Sequence, residues 1–274
     1  MIGMRLRTRF NRSVKTVLGR VVFGLGLGRL VLSGRAVVVA FHRVRDGGTA
    51  DAMAMPVAEF RQWCRFFARH FRVVGPAAIV DKLERGEPLC GELAITFDDG
   101  YRDFRTLAVP VLGSLGLTAA VFAVSDFVGA DVTPWWDAAE TSRHPFLDWD
   151  ELRQVAGQGF TVGSHGKTHA GMDELSPEAA RDELALSKAA LEAGLGREVA
   201  LYAYPYGDPE RMPDPARDLV RATGYRACFG YGGLVEAGTS PFHIGRICVN
   251  DWLASPAQFG GHLLVLRLRR LLAR

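Results

Sequence analysis

Short apolar runs alternate with amphipathic stretches along most of this chain. The runs at 36–41, 93–97, 119–123, 160–163, 199–203, 225–229 and 242–249 are rich in apolar, β-branched and aromatic residues, as buried strands are. A shorter strand is expected over 71–74. Between them, helical spacing runs over 56–71, where Phe60, Trp63, Cys64, Phe67 and Phe71 share a face, and over 77–85. Residues 101–115 continue the pattern, interrupted by Pro110 and ended by Gly113 and Gly116. Helices follow at 151–156 with Asp150 as N-cap, at 177–192 with Ser176 as cap and Pro177 in the first turn, and at 214–223. Strand and helix thus alternate about seven times, with no internal repeat. That pattern predicts an α/β fold: an incomplete (β/α) barrel of about seven parallel strands.

Polar residues cluster just past the strand ends, where such folds place their chemistry. The strand at 93–97 runs into Asp98, Asp99 and Gly100. Asp-Gly is also an ordinary turn dipeptide. Two adjacent carboxylates repel, however, and burying either is costly unless a cation or hydrogen-bond donors answer it. A second cluster supplies a reason for them: 163–169 reads Gly-Ser-His-Gly-Lys-Thr-His. His165 and His169, four apart, are expected on one side of a helical turn. With Asp99 they form a 2-His-1-carboxylate set suited to Zn²⁺ or a related divalent ion, with coordination positions left open. Asp98, beside the ion and unligated, is then free to act as a base. This constellation supports hydrolysis of an amide or ester. His42 ends the first strand and is a further candidate, although a lone histidine there is commonly structural. Trp135 and Trp136 lie in a loop-like stretch, 131–149. They suit either stacking on sugar faces or filling the core.

Hydrophobic content of 48% and charged content of 23% are those of an ordinary globular protein, and a net charge of +3 gives no case for nucleic acid. The four cysteines, Cys64, Cys90, Cys228 and Cys248, contain no Cys-x-x-Cys pair and read as scattered buried thiols. Charge is uneven along the chain. Residues 1–35 hold Arg5, Arg7, Arg9, Arg12, Lys15, Arg20, Arg29 and Arg35 with no acidic residue, and 262–274 interleaves leucines with Arg267, Arg269, Arg270 and Arg274. The apolar run 21–28 is well short of the roughly 20 residues that span a bilayer, and no clear small-x-small cleavage site follows it. Each end reads as a basic amphipathic helix, either packed on the domain or lying on an anionic membrane. The expected division is 1–35, a catalytic domain at 36–250, and 251–274, in a cytoplasmic or peripheral-membrane protein.

Three separated motifs carry a family resemblance. Thr-Phe-Asp-Asp-Gly at 96–100, Ser-His-Gly-Lys-Thr-His at 164–169 and Tyr-Ala-Tyr-Pro-Tyr-Gly at 202–207 resemble, in order and spacing, those of the polysaccharide deacetylases, carbohydrate esterase family 4 with its NodB homology domain. Phe-His-Arg-Val at 41–44 and Trp-Asp-x-Leu at 149–152 are similar to the branch acting on cell-surface polysaccharides. The resemblance covers about 36–250 and implies a distorted barrel that removes N-acetyl groups from amino sugars with a metal, most simply Zn²⁺. It implies Asp98 as general base, Asp99, His165 and His169 as ligands, and the Tyr206 backbone N–H as oxyanion donor. Trp135, Trp136 and Tyr204 are then expected against the acetylated carbohydrate. The chain also departs from the pattern: Ala203 stands where many members carry an arginine that orients the base, and the late leucine-histidine motif is only partly matched at 242–244. His42 is therefore the expected general acid, with His243 in reserve. A deacylase of small amides or esters, or a silent carbohydrate-binding domain, is the alternative.

Overall fold

The computed structural model describes residues 2–47, 51, 53–138, 143–249 and 253–272. It opens with two helices, α1 (Ile2–Gly24) and α2 (Gly28–Val31), before strand β1 (Arg35–Phe41). The strands β2 (Arg43–Arg45) and β3 (Ala54–Pro56) pair in a small parallel ribbon of their own, followed by α3 (Val57–His70), β4 (Arg72–Val73), α4 (Pro76–Glu84) and β5 (Glu92–Phe97). Next come a π-helical turn (Phe104–Ala108) running into α5 (Val109–Ser114), then β6 (Ala120–Ala123), α6 (Trp149–Gly157), β7 (Thr161–Ser164) and α7 (Pro177–Leu195). The chain ends with β8 (Leu201–Ala203), α8 (Asp214–Ala222), β9 (Ala227–Tyr231), β10 (Val235–Glu236), β11 (Ile244–Cys248) and α9 (Pro256–Leu272).

Seven parallel strands close on themselves in the order β1-β11-β9-β8-β7-β6-β5, and β5 pairs back onto β1 with Val37 opposite Leu93 and Phe41 opposite Phe97. The ring thus closes with seven strands. The two remaining strands of the sheet are short: β4 extends β5, and β10 runs antiparallel beside the start of β1.

Strand alternation sorts the apolar residues into two layers. Ala36, Val38, Ala94, Ala120, Phe122, Leu201, Ala203, Ala227, Phe229 and Ile244 fill the lumen, where alanines leave room for the few large rings. Ile79 and Val80 of α4 join this inner layer. Val37, Val39, Phe41, Leu93, Ile95 and Phe97 face outward against the helices, chiefly Phe60, Trp63 and Phe67 of α3. Burial on both faces explains why the strands read as continuous apolar runs.

Local signals differ from expectation at a few points. Asp148, not Asp150, caps α6: its side chain accepts from Glu151 N–H while Glu151 reaches back to the Asp148 N–H, a reciprocal capping box. Phe242 and His243 form a 3-10 turn ahead of β11 instead of belonging to it. Cys64 and Cys228 are buried free thiols, but Cys90 is exposed. The two terminal helices pack together along their length, with the Cβ positions of Gly19 and Gly261 directly against the partner backbone.

Candidate active site

Because the barrel strands are parallel, residues that follow β1, β5, β7 and β8 emerge on one rim, around a cavity of about 280 Å³. The cavity is lined by His42, Asp98, Asp99, His165, His169, Tyr206, Trp135 and Trp136, together with Met53, Asp208 and Tyr231.

The two carboxylates have different surroundings. Asp98 keeps the parity of Ala94 and Thr96 and faces the lumen. There the Arg246 guanidinium, from β11, donates Nη1–H to its Oδ1 at 2.6 Å and Nη2–H to its Oδ2 at 2.9 Å. Arg246 also donates to Thr96 Oγ1 at 3.2 Å, and the ion pair is shut off from solvent, at 0% and 2% exposure. Burial alone would raise the Asp98 carboxyl; the Arg246 charge, aided by His165, overrides it and holds the group below the usual carboxylate range.

Asp99 takes a left-handed backbone conformation, φ 69°, which turns its side chain out of strand parity towards the imidazoles. Its Oδ1 lies 3.5 Å from His165 Nε2 and 3.3 Å from His169 Nε2 and has no hydrogen-bond partner. His165 Nδ1 is 2.6 Å from the Ala203 carbonyl. A carbonyl only accepts, so Nδ1 carries the proton and Nε2 presents its lone pair to the cavity. Burial pushes the His165 imidazole down to about 4, which keeps it neutral.

These three atoms fit one divalent cation. Four ligands in a tetrahedron at 2.0–2.1 Å stand about 3.3–3.4 Å apart, close to the separations from Asp99 to each histidine. An unpartnered buried carboxylate oxygen beside two ring nitrogens is otherwise an unfavourable arrangement.

The two histidines do not share a helical turn, as their spacing suggested. They sit in a loop after β7, in which Gly166 has φ 86° and His169 φ 66°. Helix α7 braces that loop: Glu183 accepts from Thr168 N–H at 2.6 Å and Thr168 Oγ1 at 3.0 Å, and Ser187 Oγ donates to the Gly166 carbonyl at 2.9 Å. Gly163, in β7, is required because a Cβ there would stand 2.5 Å from the Phe122 ring. Among the described residues, the non-glycine residues with positive φ are Asp99, His169 and Tyr206, all lining this cavity. Strain of this kind, costing ~1–3 kcal/mol per residue, gathers where function requires a set geometry.

A second network holds the tryptophan loop. Trp136 packs on His169 at 4.4 Å and donates Nε1–H to the Tyr101 hydroxyl at 2.9 Å. Tyr101 donates in turn to Asp137 Oδ2 at 2.8 Å, and the buried Arg43 binds Asp137 at 2.7 Å and Asp51 at 2.8 Å. Trp135 stands 71% exposed at the mouth. Tyr206 sets its ring 5.0 Å from His169.

Two expected residues fall elsewhere. Tyr204 is buried in the core under β9, where its ring occupies the space left by Gly230, and it does not line the cavity. His243 precedes β11, at the opposite rim from the carboxylates, exposed near Arg217 and Asp214. Arg246, Arg43, Tyr101, Glu183 and Ser187 were not expected from the sequence. An arginine inside an apolar strand (Ile-Gly-Arg-Ile-Cys) is itself a signal, since such a charge needs a buried partner.

The family model for polysaccharide deacetylases matches residues 85–228 of the chain. YxkH of Bacillus subtilis (strain 168), provisionally described as a polysaccharide deacetylase, is 25% identical over 227 residues, covering 81% of this chain and 72% of that protein. The fold is similar to that of IcaB from Ammonifex degensii, with a TM-score of 0.71 at 22% identity over 85% of this chain and 98% of the other. It is also similar to the Streptococcus pyogenes deacetylase PplD, with a TM-score of 0.70 at 18% identity over 83% and 97%.

Proposed function

This chain belongs to the polysaccharide deacetylase family, and from that premise we propose that it removes N-acetyl groups from amino sugars of a polysaccharide or glycan, using one divalent ion, most simply Zn²⁺. The family makes it a carbohydrate deacetylase, a hydrolase acting on amide C–N bonds. The observation that carries the finer reading is the division between neighbouring carboxylates: Asp98 is clamped by an arginine, whereas Asp99 faces two imidazoles with an oxygen unpartnered.

In this reading Asp99, His165 and His169 hold the ion. When bound, such an ion polarises the acetamide carbonyl and makes water nucleophilic near neutral pH. Asp98 accepts the proton of the attacking water on a lone pair that Arg246 leaves unused, and the clamp fixes the direction of that lone pair. The Tyr206 backbone N–H donates to the oxyanion that forms on the substrate carbonyl. His42, on the same rim, protonates the departing nitrogen as the C–N bond breaks, giving acetate and a free amino sugar. Trp135 and Trp136 offer ring faces to the sugar.

The test is acetate release from chitooligosaccharides, β-1,6-linked N-acetylglucosamine oligomers and xylan acetate. Asp98→Asn should lower release by about 10²–10⁴-fold while metal content is kept. Undiminished turnover refutes the role of Asp98; release from xylan acetate alone refutes the amide reading.

A further inference from the structure

We propose that the hairpin formed by the terminal helices is a docking surface for an anionic phospholipid bilayer, placed at the end of the barrel opposite the catalytic cavity. Helix α1 carries an unpartnered apolar stripe: Val14, Val17, Val21 and Leu25 are 40%, 59%, 51% and 69% exposed. Their spacing of three to four residues puts them on one face. Leu27 and Leu30 continue the stripe past the end of α1, at 41% and 64%, and Leu268 of α9 adds a residue at 47%. Among the described residues these seven dominate the exposed large hydrophobics, of which the rest are Val132, Trp135 and Leu186. Isolated exposed apolar residues are common; a contiguous row is not.

Charge identifies the occupant. Arg20 lies beside the stripe on α1 and Arg29 follows in α2, both exposed and without an ion pair among the described residues, and the first 35 residues contain no acid. A second protein copy would have to bring matching acidic groups, and this segment has none to offer to itself. A bilayer rich in anionic headgroups supplies both an apolar interior and negative charge. The helices do not insert across it: among the described residues no helix is long and apolar enough to span a membrane.

The hairpin's position follows from its contacts. Phe23 of α1 packs on Phe66, His70 and Phe71, at the end of α3 that leads directly into the start of β4. Arg267 of α9 donates to the Leu30 carbonyl. Ser33 bridges to Cys90 just ahead of β5. All of these lie at the N-terminal rim, whereas Asp98, Asp99 and His165 follow the strands' C-terminal ends. Docking therefore leaves the cavity open to a polymer.

The experiment is flotation of the full chain with vesicles of phosphatidylcholine alone and of phosphatidylcholine with 30% phosphatidylglycerol. Binding to the anionic vesicles only is expected, with affinity falling about fivefold for each arginine lost, from about 1 kcal/mol per basic residue at such a surface. Arg20→Glu with Arg29→Glu should thus weaken binding at least 25-fold, and Val17→Asp with Val21→Asp should abolish it. Both variants should keep the wild-type melting temperature and acetate release from a soluble oligomer, because they touch neither the core nor the cavity. Failure to bind anionic vesicles overturns the proposal. So does binding that survives in folded Val17→Asp/Val21→Asp, or a stripe found to mediate self-association in its place.

Discussion

Replacing Arg246 should cost the protein both stability and its aligned base. The guanidinium and the Asp98 carboxylate are joined by two hydrogen bonds of 2.6 and 2.9 Å, with both groups out of solvent. Removing one partner of such a pair strands the other charge, and the usual cost is about 3–5 kcal/mol. Arg246→Met should therefore destabilise by that amount, and Asp98→Asn should be costly for the mirror-image reason. The double variant buries no unpaired charge, so its loss should fall short of the sum by about 2–3 kcal/mol. Arg246→Lys keeps the charge but not the fork and should recover stability better than activity. Losing Arg246 also releases the Asp98 carboxyl upward, so the acid limb of the kcat/KM profile should move to higher pH. Urea unfolding of the four proteins gives the coupling and acetate release gives the profile. Losses that add within about 0.5 kcal/mol, with an unmoved acid limb, would mean that this clamp does not exist.

A second carboxyl sets a pH dependence of stability away from the site. Asp103 is partly buried, and loss of hydration pushes its carboxyl up to about 7 despite the Val44 N–H at 2.8 Å and nearby Arg43. The folded chain then holds a proton that the unfolded chain releases near pH 4. Stability should fall as pH rises from about 4 to about 7 and level off above that, by on the order of 4 kcal/mol at about 1.4 kcal/mol per unit. Asp103→Asn keeps the acceptor for Val44 and should remove the slope; a stability gap from wild type that is the same at about pH 4.5 and 8.5 contradicts this. Tyr101→Phe cuts the link between Trp136 and Asp137 and should lower Zn²⁺ affinity by about 10–100-fold through the slackened packing on His169. An affinity within twofold of wild type in a competition titration would show that this network is only structural.

Most of the barrel was legible because its strands are buried on both faces and separated by amphipathic helices, so that composition and spacing agree. Asp98, Asp99, His165 and His169 were legible because strand ends converge on one rim whatever the intervening sequence. The partner of Asp98 was not. Arg246 is 148 residues away and acts from within a strand, and only closure of β11 onto β1 brings it into the lumen. Where the family pattern led to position 203, the same function is available from a different strand. His243 misled because it sits next to β11 at the start of the strand, and Tyr204 because its turn belongs to the site while its ring points into the core. The bracing by Glu183 and Ser187 depends on how α7 lies against the histidine loop, which no local pattern records.

In the proposed site three side chains grip an ion while an adjacent carboxylate does not. Calorimetric titration of metal-stripped protein with Zn²⁺ tests it most directly, comparing wild type, Asp98→Asn and Asp99→Asn, each shown to be folded. A single site of similar affinity in the wild type and Asp98→Asn, lost in Asp99→Asn, is the expected result. Equal loss in both variants, or undiminished binding in Asp99→Asn, contradicts it.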